Sequence, residues 1–193
     1  MTGEAYHAEI RHCNRFPLQF LTIFDYIRLY LPIVRNNRYP ANPQKCRFWR
    51  IEMITARNVA EYFLAMAEED SDLSNMKLQK LVYYSQAFHL AIFDQPLFEE
   101  EIEAWTHGPV CPELYHSYKQ YGHNPIEYRN EKTFDMFSEE QIGLLNEVSE
   151  VFGKYSAGAL RNMTHQDQPW IEMEETAGII RKERMMDFYK TRL

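Results

Sequence analysis

From Asn75 to Asp94 the chain runs for twenty residues without a glycine or a proline. Within it Leu78, Leu81, Val82, Ser85, Phe88 and Ile92 fall at offsets of 3, 4, 7, 10 and 14, the spacing that lines up one stripe of an α-helix. Ser74 supplies an N-cap, and Leu73 before it can serve as the outer member of a hydrophobic staple. A helix of this length gains little from propensity alone and must bury its stripe against other elements, which commits the chain to helical packing. Lys77, Lys80 and Gln86 fall off the stripe and are expected to point away from the core.

Elements on either side carry their own punctuation. Thr55 caps a helix with Val59, Tyr62, Phe63 and Met66 on one face, and the acidic run Glu68, Glu69, Asp70 ends it in solvent. After the turn at Asp94, Gln95, Pro96, the sequence Glu101 to Trp105 alternates in the two-residue rhythm of a short, half-exposed strand. Thr106, His107, Gly108 and Pro109 then read as a loop, because the residue before a proline is pushed out of helical dihedrals. Pro112 suits the first position of a helix stopped by Gly122, and the segment from His123 to Phe137 is irregular. Ser138 to Gln141 form a capping box for a helix carrying Ile142, Leu145, Val148 and Phe152 and closed by Gly153. Ser156 opens a short helix through Leu160 and Met163, while Gln168, Pro169 and Trp170 interrupt the chain. A final helix is expected from about Thr176 to Arg192, packing Ile179, Ile180, Met186 and Tyr189. The expected fold class is mainly α, a compact helical domain of about five to six helices with a small β element and an N-terminal appendage.

Charge divides the chain in two. Residues 1 to 52 hold eight basic and four acidic groups, a balance of +4, whereas residues 53 to 193 hold 13 basic and 24 acidic groups, a balance of −11. So acidic a domain repels phosphate backbones, which argues against direct nucleic-acid binding and favours a basic protein partner. The first 52 residues read either as one amphipathic helix followed by a Pro- and Asn-rich loop, or as an upstream addition to a chain whose translation begins at Met53. The apolar stretch from Phe16 to Val34 contains Asp25 and Arg28 near its middle, which argues against a membrane span. Cys13, Cys46 and Cys111 are odd in number and scattered, so no disulfide framework is implied and a cytoplasmic setting fits.

Three motifs in fixed order resemble the Panacea domain family, the SocA-like antitoxins. The first runs Lys77, Leu78, Gln79, Lys80, Leu81, Val82, Tyr83, Tyr84, Ser85, Gln86, Ala87, Phe88, His89, Leu90 and continues to Pro96, Leu97 and Phe98. The second is Ile102 to Val110, with Pro112 to Tyr115 opening the next helix; the third comprises Leu160, Thr164, His165, Pro169 and Trp170. The resemblance covers about Met53 to Tyr189 and implies a helical domain that neutralises a cognate toxin by direct binding, without a cofactor. It also implies, for some members, delivery of the bound protein to a cytoplasmic protease.

The residues marked for partner binding on this basis are Tyr83, Tyr84, Trp105, His107, Gly108, Pro109 and Tyr115. Large aromatics on such elements are more often packing than contact surface, a reading that stands beside the functional one for Tyr84, Trp105 and Phe88. Tyr83, Tyr115 and Tyr121, if exposed along one face, would supply interface anchors. His107 lies in a loop that needs no core residue and either fixes the turn or meets the partner; His89 and His165 read as structural histidines. No catalytic or metal-binding set stands out. The spacings of Cys111, His107, His116, His123 and His165 match no compact zinc pattern, Glu99 to Glu103 read as a solvated charge run, and Cys111 before Pro112 is as easily a packed residue as a nucleophile.

Overall fold

The computed structural model describes residues 53–67, 72–128 and 133–193. Expectations for residues 1 to 52, including Cys13, Cys46 and the Phe16 to Val34 stretch, and for the acidic run after Met66, lie outside the described residues. The described chain forms seven α-helices and one hairpin: α1 (Ala56–Met66), α2 (Asn75–Phe93), β1 (Glu103–Trp105), β2 (Gly108–Val110), α3 (Pro112–Tyr118), α4 (Glu139–Phe152), α5 (Ala157–Thr164), α6 (Gln168–Ile171) and α7 (Lys182–Lys190). The capping residues start the helices where their chemistry allows. The Thr55 hydroxyl accepts from the Asn58 amide and Asn58 returns the bond; Ser138 and Gln141 do the same for α4; Ser74 and Ser156 cap α2 and α5.

Helix α2 is the axis of the domain. It packs on α1, α3, α4, α5, α7 and β2, and sixteen of its residues are buried, so it has no solvent face. This corrects the one-sided stripe: Lys80 and Gln86 are fully buried and Lys77 nearly so. A helix surrounded on every side buries the residues off its stripe as well, and these must then find partners. Gln86 finds three, accepting at Oε1 from the amides of Leu97 (2.8 Å) and Phe98 (3.2 Å) and donating from Nε2 to the Phe98 carbonyl (2.8 Å). His89 Nδ1 meets the Gln95 carbonyl at 2.7 Å, which holds the turn after the left-handed Asp94. Lys77 pairs with Asp72.

Two further boundaries differ from expectation. Gly108 and Pro109 belong to β2, leaving Thr106 and His107 alone in the turn. Proline is tolerated because Pro109 stands opposite Ala104, whose own amide points the other way and donates to the Gly178 carbonyl at 2.9 Å. The segment before α7 is extended rather than helical: Ile180 N–H donates to the Ile102 carbonyl, and Ile179 bridges Glu103, so β1 is flanked on both sides. Helix α7 therefore begins at Lys182, Ile179 is exposed, and Met185 rather than Met186 is the buried methionine. The Gln168, Pro169, Trp170 interruption is itself a short helix, with proline in its first turn. The aromatic core sits between the C-terminal half of α2, α4 and α7, where Tyr84 stacks on Phe152 at 3.9 Å and Phe88 meets Tyr189 edge-on at 4.9 Å.

Candidate functional site

The N-terminal half of α2 uses polar side chains to position the hairpin. Gln79 Oε1 accepts from the Cys111 amide at 2.9 Å, and Lys80 Nζ donates to the Pro109 carbonyl at 2.9 Å. Asn75 Nδ2 donates to the Tyr115 carbonyl and its Oδ1 accepts from Gln79, which ties the start of α3 to the same helix. From the opposite side the third motif locks on: Trp170 Nε1 donates to the Trp105 carbonyl at 3.1 Å, and Thr164, fully buried, faces Gly108. Gly108 has φ +94°, and a Cβ there would lie 2.7 Å from Thr164 Oγ1 and 2.9 Å from Lys80 Nζ. Both the dihedral and the space demand glycine at this position.

The frame presents the hairpin turn to solvent. Thr106 and His107 are exposed, and Trp105 is half-buried with its Nε1 donating to Glu103 Oε2 at 2.6 Å and its ring edge-on to Tyr115 at 5.1 Å. Below the turn a cleft of about 520 Å³ opens between α2, the hairpin and α3, walled in part by Met76, Gln79, Lys80, Trp105, His107 and Tyr115. Lys80 at its inner wall is pushed down to about 7, first by burial and then by the charge of Arg161.

Of the residues singled out in the sequence, Trp105, His107 and Tyr115 meet on this face, with Gly108 and Pro109 buried directly beneath as its support. Tyr83 and Tyr84 do not join them. Both are core residues in the aromatic cluster with Tyr189, so Tyr83 is not an exposed anchor; the same enclosure of α2 that buries Lys80 buries it. Tyr121 is half-buried on the 3-10 turn Lys119–Tyr121 after α3. Sequence reasoning passed over Lys80, Arg161 and Thr164 as parts of the site. The signal available for Lys80 was a lysine one residue after Gln79 on a helix too apolar to keep any side solvated.

The cysteine and the carboxylate run weighed for catalysis in the sequence have structural surroundings. The Cys111 thiol is buried and pushed up to about 11, mainly by burial, so it is not a thiolate near neutrality. In the Glu99 to Glu103 run, Glu100 Oε1 accepts from the Ala56 amide at the start of α1 and Glu103 holds Trp105, both structural tasks. Among the described residues, no three His, Cys, Asp or Glu side chains gather as metal ligands and no helix is long and apolar enough to cross a membrane.

Comparison with known proteins gives two matches. Residues 78–171 match the family model described as Antitoxin SocA-like, Panacea domain, a span that runs from the first turn of α2 to the end of α6 and contains the hairpin and its frame. Over 72 residues the chain is 36% identical to the protein named Antitoxin SocA of Caulobacter vibrioides (strain NA1000 / CB15N). That alignment covers 37% of this chain and 38% of the relative, so it spans well under half of either. No solved structure matches.

Proposed function

Because residues 78–171 carry a Panacea domain of the SocA-like antitoxin family, we propose that this protein is an antitoxin that neutralises a cognate toxin by binding it through the face built around the hairpin turn. The observation that carries this reading is the convergence of all three family motifs on one exposed turn. The buried members, Gln79, Lys80, Gly108, Thr164 and Trp170, are bonded to hairpin backbone or packed against it, while Trp105, His107 and Tyr115 are left partly or wholly open to solvent. Rigid support beneath a small aromatic patch is what an interface anchor requires, since it lowers the ordering cost on binding. The function calls for no enzymatic step or cofactor. The balance of −11 over residues 53 to 193 suits a basic toxin, drawn in by long-range attraction before short-range contacts form.

Expression of the tagged full chain in its native host, followed by intact-mass measurement of what co-purifies, tests the reading. A stoichiometric small partner that arrests growth when expressed alone, and is silenced by co-expression of this chain, establishes it and names the toxin. A partner that is instead turned over faster in the presence of this chain would move the reading to delivery to a cytoplasmic protease. A lone monomer with no such partner would overturn both.

A further inference from the structure

Around Gly108 the domain collects positive charge that it does not neutralise. Lys80 is fully buried, and of its three donors one is spent on the Pro109 carbonyl; among the described residues no carboxylate lies within ion-pair distance of it. Arg161 and His165 stand one turn apart on α5 and its C-cap, on the side where the intervening Thr164 touches Gly108. Arg161 Nε and His165 Nε2 are both buried without a hydrogen-bond partner. Trp170 stacks flat on the His165 ring at 4.0 Å, an interplanar angle of 9°, and fixes that ring in place. The His165 imidazole is held below its ordinary value first by burial, then by the positive charges of Arg161 and Lys80 and, least, by that of His107. The carboxylate that acts on His165 from the other direction is Glu174, exposed and weaker in effect than Arg161 or Lys80.

Buried donors are ordinarily satisfied, and an uncompensated cation in a protein interior is costly. Two buried nitrogens without partners and one buried amine with no carboxylate beside it, all near a single turn, are therefore conspicuous, and more so in a domain with nearly twice as many acidic as basic groups. We propose that the ground around Gly108, with exposed His107 next to it on the turn, buried Lys80 beneath it and half-buried Arg161 and His165 on either side of Thr164 in α5 and its C-cap, is an oxyanion-binding site that receives a carboxylate. Arg161, half-buried, and exposed His107 are the groups an incoming anion can reach, the first through charge-assisted bonds of its guanidinium and the second through a ring N–H; protonated Lys80 contributes its field from below at short range and low dielectric. On the reading given above, the carboxylate is an acidic side chain or the C-terminus of the toxin. The acidic body then attracts the basic partner as a whole, and this one cationic point sets its register.

The test uses the free full-length chain, so it does not depend on whether the protein neutralises anything. The histidine ring resonances are followed while sodium acetate or sodium phosphate replaces sodium chloride at constant ionic strength and pH 6.5. A saturable movement of the His107 and His165 signals, with His123 unmoved as an internal control, is expected. It should weaken about tenfold in Arg161→Gln and in His107→Asn, the second an exposed change that leaves the fold alone. Tighter binding of acetate identifies a carboxylate from a protein as the natural occupant, and tighter binding of phosphate identifies the free ion. Movements no larger than chloride produces, or titrations identical in wild type and both variants, overturn the site. Intact anion binding in a chain that fails to neutralise the co-purified partner would count against the antitoxin reading instead.

Discussion

The two halves of α2 are held in opposite ways. Its C-terminal half lies in an aromatic cluster where Tyr84, Phe88, Phe152 and Tyr189 meet face to face or edge to face, contacts that are numerous and individually replaceable. Its N-terminal half and middle are pinned by side-chain hydrogen bonds that Asn75, Gln79, Lys80 and Gln86 make with backbone groups of the segments that follow. The difference shows how one buried helix does two jobs. Aromatic packing supplies cohesion without fixing register, whereas the polar bonds specify where residues 97 to 111 must run and so where the hairpin turn emerges.

Substitution of neighbours on α2 should separate these roles. Gln86→Leu adds hydrophobicity to a buried position yet strands the Leu97 and Phe98 amides and the Phe98 carbonyl, and is expected to cost about 3–5 kcal/mol. Phe88→Leu, two residues away, removes part of an aromatic contact and should cost only about 1–2 kcal/mol, since the cluster can adjust around a near-equal volume. Urea denaturation of the two variants decides the matter. Equal losses, or a larger one at Phe88, would mean that packing and not the polar bonds governs the middle of the helix.

The same contrast explains what could be read in the sequence. Caps at Thr55, Ser74, Ser138 and Ser156, the stop at Gly122 and the proline at the head of α3 are local chemistry, and each lies where the residues place it. The extended segment at Gly178 to Ile180 is not local. Its helical-looking spacing is overridden by two hydrogen bonds to β1, more than seventy residues earlier in the chain. Burial of Tyr83 and Lys80 depends likewise on how many neighbours surround α2, which periodicity along one helix does not reveal. Of the site, the turn at His107 with Trp105 and Tyr115 was legible from motif order. The unpartnered nitrogens of Arg161 and His165 were not, because α5 is brought to Gly108, through Thr164, only by its packing on β2.

Lys80 offers an intermediate effect with a sign that can be worked out. Its folded value, pushed down to about 7, lies below the 10.5 of an unperturbed lysine. Between those values the unfolded chain holds a proton that the folded chain does not. The contribution is therefore complete above pH 10.5 and is lost as pH falls through 7, at a slope of up to about 1.4 kcal/mol per unit. Lys80→Met should abolish that slope between pH 7 and 9.5, a difference on the order of 2–3 kcal/mol accumulated across the window. The window stops short of pH 10 because buried Tyr83, Tyr84 and Tyr189, raised by burial, titrate above it. Parallel stability profiles for wild type and variant would show that the ammonium is solvated, and with it the polar half of α2.

The smallest effect on folding should fall on the residue with the largest expected effect on binding. His107 is exposed and sits in the turn with its ring outside the core, so His107→Ala should change stability by no more than about 0.5 kcal/mol. Gly108 next to it is expected to behave oppositely, because the φ of +94° and the contacts with Thr164 and Lys80 tie the backbone to the interior. If the turn is a contact surface on a fixed support, His107→Ala weakens association with the co-purified partner by tenfold or more, about 1.4 kcal/mol, while its melting temperature stays with wild type. An association constant that tracks stability across His107→Ala and Gly108→Ala alike would remove the distinction between surface and support, and would place the partner's contacts elsewhere on the domain.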